Sequence, residues 1–224
     1  MSPTGQLLTL LQHSDSAFPS GSVSFSSGLE RLVADGFVTD GTSFTAMLFD
    51  AIKNRWNTFD RVFLARSFVT DAAGRCAIDR EFEASVFCAN ARASSRRAGL
   101  AMLGTWSRMD DPEAIDYRAL VHSGLAFGHL PIVHGLVYAS AGLDLPTAET
   151  AACWTTASAL ANAAIRIGAI GPLSAQGALT ELREEFAALL DEPVGLEDPP
   201  SAWTPVQDIA QARHTLADLR LFAS

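Results

Sequence analysis

The chain has 224 residues, 48% hydrophobic and 18% charged, with 16 Lys and Arg against 25 Asp and Glu for a formal charge of −9. That composition can bury a full core as one domain or two small ones, and it excludes intrinsic disorder for most of the chain, which needs low hydrophobicity and high charge density. The acidic balance also argues against nucleic acid as the main partner, because phosphate binding is driven by Lys and Arg.

Along the chain, Met1 to Gly5 lacks the basic and apolar stretches of a secretion signal. Asp15 to Ser27 holds Pro19, Gly21 and six serines, and reads as non-helical. Phe44, Leu48, Ile52, Trp56, Phe59 and Phe63 then fall at offsets 0, 4, 8, 12, 15 and 19. They trace one stripe of a long helix, which Thr42 or Ser43 can cap. Asp111-Pro112-Glu113 opens another helix, with Pro in the first turn and an acid beside it. Leu145-Pro146-Thr147 opens a third, running through Trp154 to about Ile167, where Gly168 and Gly171-Pro172 break the chain. The Ala-rich piece from Ala157 to Ala164 suits close helix packing. Leu179, Leu182, Phe186, Leu189 and Leu190 form the next stripe, with Glu181, Glu184 and Glu185 on the opposite, wet face. Asp191 to Pro205 holds four of the ten prolines and reads as a linker. No segment alternates with a period of two, and Gly36 to Thr39 is too short for a strand. The expectation is an all-α, single-domain bundle of roughly nine or ten helices. It places the helical domain at 1–190, the Pro-rich linker at 191–205 and a C-terminal partner-binding segment at 206–224, with a flexible N-terminal loop and C-terminal tail.

From Ala119 to Leu143 there is no Asp, Glu, Lys or Arg, a run long enough for a membrane span. It also carries His122, His129, His134 and Pro131, with glycines at 124, 128, 135 and 142. Three imidazoles are costly in lipid, which favours two buried helices meeting near Gly128 to Pro131.

The search for chemistry is mostly negative. The single lysine, Lys53, lies between Ile52 and Asn54, which excludes a self-contained P-loop, and a Schiff base would have to form within a helical run. Cys76, Cys88 and Cys153 show no C-x-x-C or zinc spacing and read as buried thiols of a reducing compartment. His129 and His134, five apart, diverge on a helix, so a helix-packing role is the default. A helical metal-dependent hydrolase would use His122 and His129 with Asp116 or Glu113. Arg92, Arg96 and Arg97 form either an anion or partner site or a solvated face paired with acids such as Glu81 and Glu83. Phe18-Pro19-Ser20-Gly21 is either a serine-stabilised turn or a rigid element presented to a partner.

Leu11-Gln12-His13-Ser14-Asp15-Ser16-Ala17-Phe18-Pro19-Ser20-Gly21, followed by Phe25-Ser26-Ser27-Gly28-Leu29-Glu30, resembles the opening block of the urease accessory protein F family (UreF). Four more blocks follow in the family's order. They are Ser95-Arg96-Arg97 with Gly99 and Leu103; Gly128-His129-Leu130-Pro131-Ile132-Val133-His134-Gly135; Ala164-Ile165-Arg166-Ile167-Gly168-Ala169-Ile170-Gly171 with Gln176; and Thr204-Pro205, Asp208-Ile209, His214 and the terminal Arg220-Leu221-Phe222-Ala223-Ser224. Ser20 and Ser22 flank Gly21 where the family often has a Gly-Gly pair. Ala223 stands where its tail has a second Arg.

The resemblance implies an all-α cytoplasmic protein that dimerises and has no catalysis of its own. It acts in urease maturation, bridging the scaffold accessory protein D (also called H) and the nickel-carrying GTPase UreG, gating that GTPase, so that nickel reaches apo-urease. The residues it implicates in partner binding are Asp15, Phe18, Pro19, Gly21, Arg96, Arg97, Arg166, Gln176, His214, Arg220, Leu221, Phe222 and Ser224. The segment Val206 to Ser224 is expected to be poorly ordered alone and to fold onto the scaffold protein. No tightly bound cofactor is expected. His129 and His134 are candidates for a route of transient nickel, and neither nucleic acid nor membrane is an expected partner.

Overall fold

Phe44, Leu48, Ile52 and Trp56 recur every four residues, more than the 3.6 of an α-helical turn, so a purely α-helical rod would let their stripe drift around its axis. The computed structural model describes residues 1–15, 17–19 and 28–213, and in it the rod changes winding. Helix α3 (Gly41–Ala51) passes without a break into a π-helical segment (Ile52–Asp60) and on into α4 (Arg61–Phe68). The wider π turn keeps the stripe facing inward, and all six of its residues are at most 4% exposed. Asp40, rather than Thr42 or Ser43, caps the rod. Its side chain accepts from Ser43 N at 2.8 Å while Ser43 Oγ accepts from Asp40 N at 3.0 Å, a capping box.

Helices α1 (Pro3–Ser14) and α2 (Leu29–Ala34) precede the rod. After it come α5 (Ala72–Ser85), α6 (Ala89–Arg108), α7 (Pro112–His122), α8 (Leu130–Ser140), α9 (Leu145–Arg166), α10 (Pro172–Glu181), α11 (Arg183–Asp191) and α12 (Pro205–Arg213). With the joined rod as one, that makes eleven helices, close to the nine or ten expected, and no strand occurs among the described residues. Asp111 and Asp144 cap α7 and α9 just before their prolines. The charge-free run resolves into the end of α7, a turn, and α8. Among the described residues no helix is long and apolar enough to cross a membrane.

Helix α8 is the centre of the core, with every residue from Pro131 to Tyr138 buried. It crosses α4 so closely that a Cβ on Gly135 would lie 2.6 Å from the Leu64 carbonyl, and Ser67 Oγ donates to Ile132 O at 2.7 Å. Buried Arg61 binds the rod to two other helices. It reaches Glu149 of α9 at 2.8 Å and donates to the Leu189 and Leu190 carbonyls of α11 at 2.7 and 3.1 Å, satisfying groups a helix end leaves open.

The proline-rich stretch after α11 lies along the rod. Ser201 N and Trp203 N donate to the Thr58 and Asn54 carbonyls of the π segment, each at 2.9 Å. Arg66 donates to the carbonyls of Leu196 at 2.7 Å and Asp198 at 2.9 Å. Residues 206–213 of the C-terminal segment are helical, and α12 packs against α2 and α6 with Ala210 buried.

Candidate functional site

Two polar sites flank α8. The first is a junction around Asp79 of α5, which is fully buried. Its carboxylate accepts from three successive backbone N–H groups, Phe127 at 2.6 Å, Gly128 at 2.7 Å and His129 at 3.0 Å, and from Tyr117 Oη at 3.1 Å. The arrangement sets a carboxylate in a cradle of successive N–H groups on the turn that leads into α8. One turn along α5, Glu83 Oε2 lies 2.7 Å from His129 Nε2, and Glu83 also pairs with Arg92 at 3.2 Å and Arg96 at 3.7 Å. Burial pushes the His129 imidazole down, so the neutral ring donates to Glu83. Helix α6 closes the junction: Ser95 Oγ accepts from Leu130 N at 3.1 Å. Any Cβ on Gly99 would sit 2.0 Å from the Gly128 carbonyl.

The second site is a cavity of ≈ 190 Å³ between α1, the π segment, α6, α8, α9 and α12. At its inner end His13, 3% exposed, packs its ring 4.9 Å from Phe18, 4.8 Å from Trp106 and 5.8 Å from Tyr138, and its Nδ1 has no partner. His134 stacks on Tyr138 at 5.2 Å. Burial pushes His13 down to about 4 and His134, which His13 also disfavours, down to about 3, so both rings are neutral at pH 7. At the outer end Arg55 pairs with Asp60 at 3.5 Å and lies over the Phe59 ring at 4.3 Å. Asp208 of α12 faces the same space. Burial pushes both carboxyls up, and in each case the Arg55 charge pulls the other way. Neutral imidazoles and cation-seeking carboxylates suit transient contact with a borderline divalent cation. Among the described residues, however, no group of three or more His, Cys, Asp or Glu converges to hold one.

The sequence model of the UreF family matches residues 38–183. The urease accessory protein UreF of Trichodesmium erythraeum (strain IMS101) is 30% identical over 232 residues, 100% of this chain and 99% of that protein. That of Bacillus sp. (strain TB-90) is 30% identical over 231 residues, covering 98% of this chain and 99% of its own. That of Arthrobacter sp. (strain FB24) is 29% identical over 220 residues, 97% of this chain and 96% of its own. The chain belongs to the UreF family.

Two of the UreF blocks read from the sequence meet in the junction, where Ser95, Arg96 and Gly99 of α6 touch the Gly128–His129–Leu130 turn. Arg96 also lies over the Phe127 ring at 5.7 Å, while Arg97 is exposed beside Ser94. Arg92 and Arg96 therefore pair with Glu83, whereas Glu81 pairs with Arg66 at 3.0 Å. In the opening block, Asp15 ends α1 and accepts from Ala17 N at 2.7 Å. Phe18 is buried against His13, and the Pro19 carbonyl accepts from Thr105 Oγ1 at 2.7 Å. Arg166 and Gln176 are exposed on α9 and α10. Gly21, His214, Arg220, Leu221, Phe222 and Ser224 lie outside the described residues.

The two nickel-route candidates part company, since His134 lines the cavity and His129 belongs to the junction. The set needed for a metal-dependent hydrolase is not assembled: His129 turns to Glu83, Glu113 pairs with Arg75 at 2.8 Å, and His122 and Asp116 are exposed. Sequence reasoning missed Asp79, Arg55 and Asp60, and named Asp208 only as part of the closing block, without a role. For Asp79 a signal existed, its spacing of four from Glu83 on one face of α5. The cavity residues come from elements scattered along the chain, from α1 to α12, and carry no local signal.

Proposed function

We propose that this chain is a urease accessory protein with no catalysis of its own. It works in the cytoplasm as a homodimer, bridging the scaffold protein D/H and the GTPase UreG, gating the GTPase, and thereby lets nickel reach apo-urease. The observation that carries this reading is similarity along essentially the whole chain to urease accessory proteins, 30% identical over 100% of this chain in one case. The outer side of the C-terminal region supports a docking role. Trp203, Val206 and Ile209 are 77%, 48% and 58% exposed, apolar side chains that precede Arg220, Leu221 and Phe222 in the chain. In this reading those last three anchor the scaffold protein, Arg220 through a bidentate pair and the other two through apolar contact. Asp15, Phe18 and Pro19 act by fixing the shape of a surface loop near the GTPase or dimer face, because the Phe18 ring itself packs inward. Nickel is cargo, and His134, on the cavity wall, is the candidate that fits a route for it.

Co-expression of urease with the other accessory proteins tests the reading. Omitting this chain is expected to leave urease inactive, and full activity without it overturns the assignment. Deleting Arg220 to Ser224 is expected to abolish co-purification of the scaffold protein, and unchanged recovery removes the anchor role.

A further inference from the structure

The cavity beside α8 combines apolar walls with an unmet polar contact. Trp56, Leu64, Phe82, Ala98, Met102 and Leu160 form much of its lining, and none of them is more than 5% exposed. His13 lines the same space, is itself buried, and has no partner at Nδ1. The groups packed on its ring are the aromatic rings of Phe18, Trp106 and Tyr138. A buried polar atom without a partner costs free energy, and a ligand that supplies the missing bond recovers it. The charged groups of the lining, Arg55, Asp60 and Asp208, lie at the other end, where Arg55 pairs with Asp60 at 3.5 Å.

We propose that the cavity is a binding site for a small, uncharged phenol or alcohol, whose apolar body lies against these walls and whose hydroxyl bonds to His13 Nδ1. A hydroxyl suits either tautomer of the ring, because it both donates and accepts. It donates to a bare Nδ1 and accepts from a protonated one. Charge is selected against. Burial holds His13 down to about 4 and His134, on the same wall, down to about 3, so at pH 7 neither imidazole offers a counter-charge. A buried charge without a partner costs far more than a buried hydroxyl with one. Size sets the rest. An apolar cavity of about 150 Å³ holds benzene. The ≈ 190 Å³ here leaves room for one ring, its hydroxyl and a small substituent. Water fills such a space poorly, because the six apolar residues offer it no hydrogen bond. The inference does not depend on whether nickel crosses the cavity.

Fluorine NMR on the full chain, with EDTA present so that no metal takes part, tests the site. 4-Fluorophenol is expected to bind saturably, with a Kd of about 1 mM or tighter. 4-Fluorotoluene carries a methyl in place of the hydroxyl and is expected to bind at least about threefold more weakly, whereas a cavity with no usable polar atom would prefer it. In His13→Phe that order is expected to reverse. Met102 reports the place: with carbon-13 on the methionine methyls, its signal is expected to move with 4-fluorophenol while those of Met1, Met47 and Met109 stay. Binding weaker than about 1 mM, or a preference for the phenol below about threefold, overturns the proposal. So do methionine shifts that spare Met102, or a phenol preference that survives His13→Phe. If that variant does not fold, the wild-type affinity, preference and methionine shifts decide alone.

Discussion

The junction and the cavity lie on two sides of α8 and draw on the same helix α6, and both contain buried histidine and nearby carboxylates. They differ in how those groups are satisfied. Asp79 is met by four donors and His129 is tied through Nε2 to Glu83, while its Nδ1 has no partner. In the cavity, His13 Nδ1 also has no partner, and Asp60 is met by Arg55 at 3.5 Å. A buried carboxylate with its bonds complete fixes a single geometry, whereas a buried polar atom without a partner costs free energy. The difference lies in the carboxylates: Asp79, with four donors, fixes how α5 meets the turn before α8, and Asp60 is held by one longer ion pair.

The sharpest way to break this contrast is Asp79→Ala. Three backbone N–H groups of the turn leading into α8 and the Tyr117 hydroxyl would lose their acceptor in a dry site. At about 1–3 kcal/mol for each group left unsatisfied, a loss of about 4 kcal/mol or more is expected in urea denaturation. A loss below about 1 kcal/mol would mean that the junction does not organise the fold.

The cavity makes its own prediction, through acid. His13 and His134 have folded pKa values depressed below the ordinary 6.5, so the unfolded chain binds more protons than the folded one. Their neutral burial is fully tolerated above pH 6.5, and stability falls as pH drops from there toward about 4. For a group shifted as far as His13, the contribution is about 3 kcal/mol, at about 1.4 kcal/mol per unit. Denaturation midpoints of wild type and His134→Gln, measured from pH 7 to pH 4, are expected to converge as pH falls. Parallel curves would show that this imidazole does not titrate against the fold.

The smallest expected effect sharpens the junction again. Gly99→Ala places a methyl where 2.0 Å separates its Cβ from the Gly128 carbonyl, so α6 must shift. The expected cost is about 1–3 kcal/mol, the usual range for overpacking. A neutral substitution, read as an unchanged Tm, would mean that α6 and the turn before α8 can separate freely.

Much of this was legible in the chain itself. The stripe from Phe44 to Phe63 located the long rod, and the prolines behind Asp111 and Asp144 located the starts of α7 and α9. The three histidines of the charge-free run were not distinguishable by sequence, yet they occupy three environments: His122 at the surface, His129 against Glu83, and His134 on the cavity wall. Nor did spacing alone disclose that the rod changes winding at Ile52.

What the sequence determined by itself is what depends on neighbours in the chain. Helical period, caps, breaks, the lone lysine that excludes a P-loop, and the ordered UreF blocks are all local patterns, and local sterics and hydrogen bonding make them readable. The tertiary structure alone decided which of those blocks touch, which carboxylate meets the N–H groups of Phe127 to His129, and which histidine is left without a partner beside a cavity. Those outcomes follow from burial and charge brought together by packing between helices far apart in the chain, and no spacing along one helix encodes them.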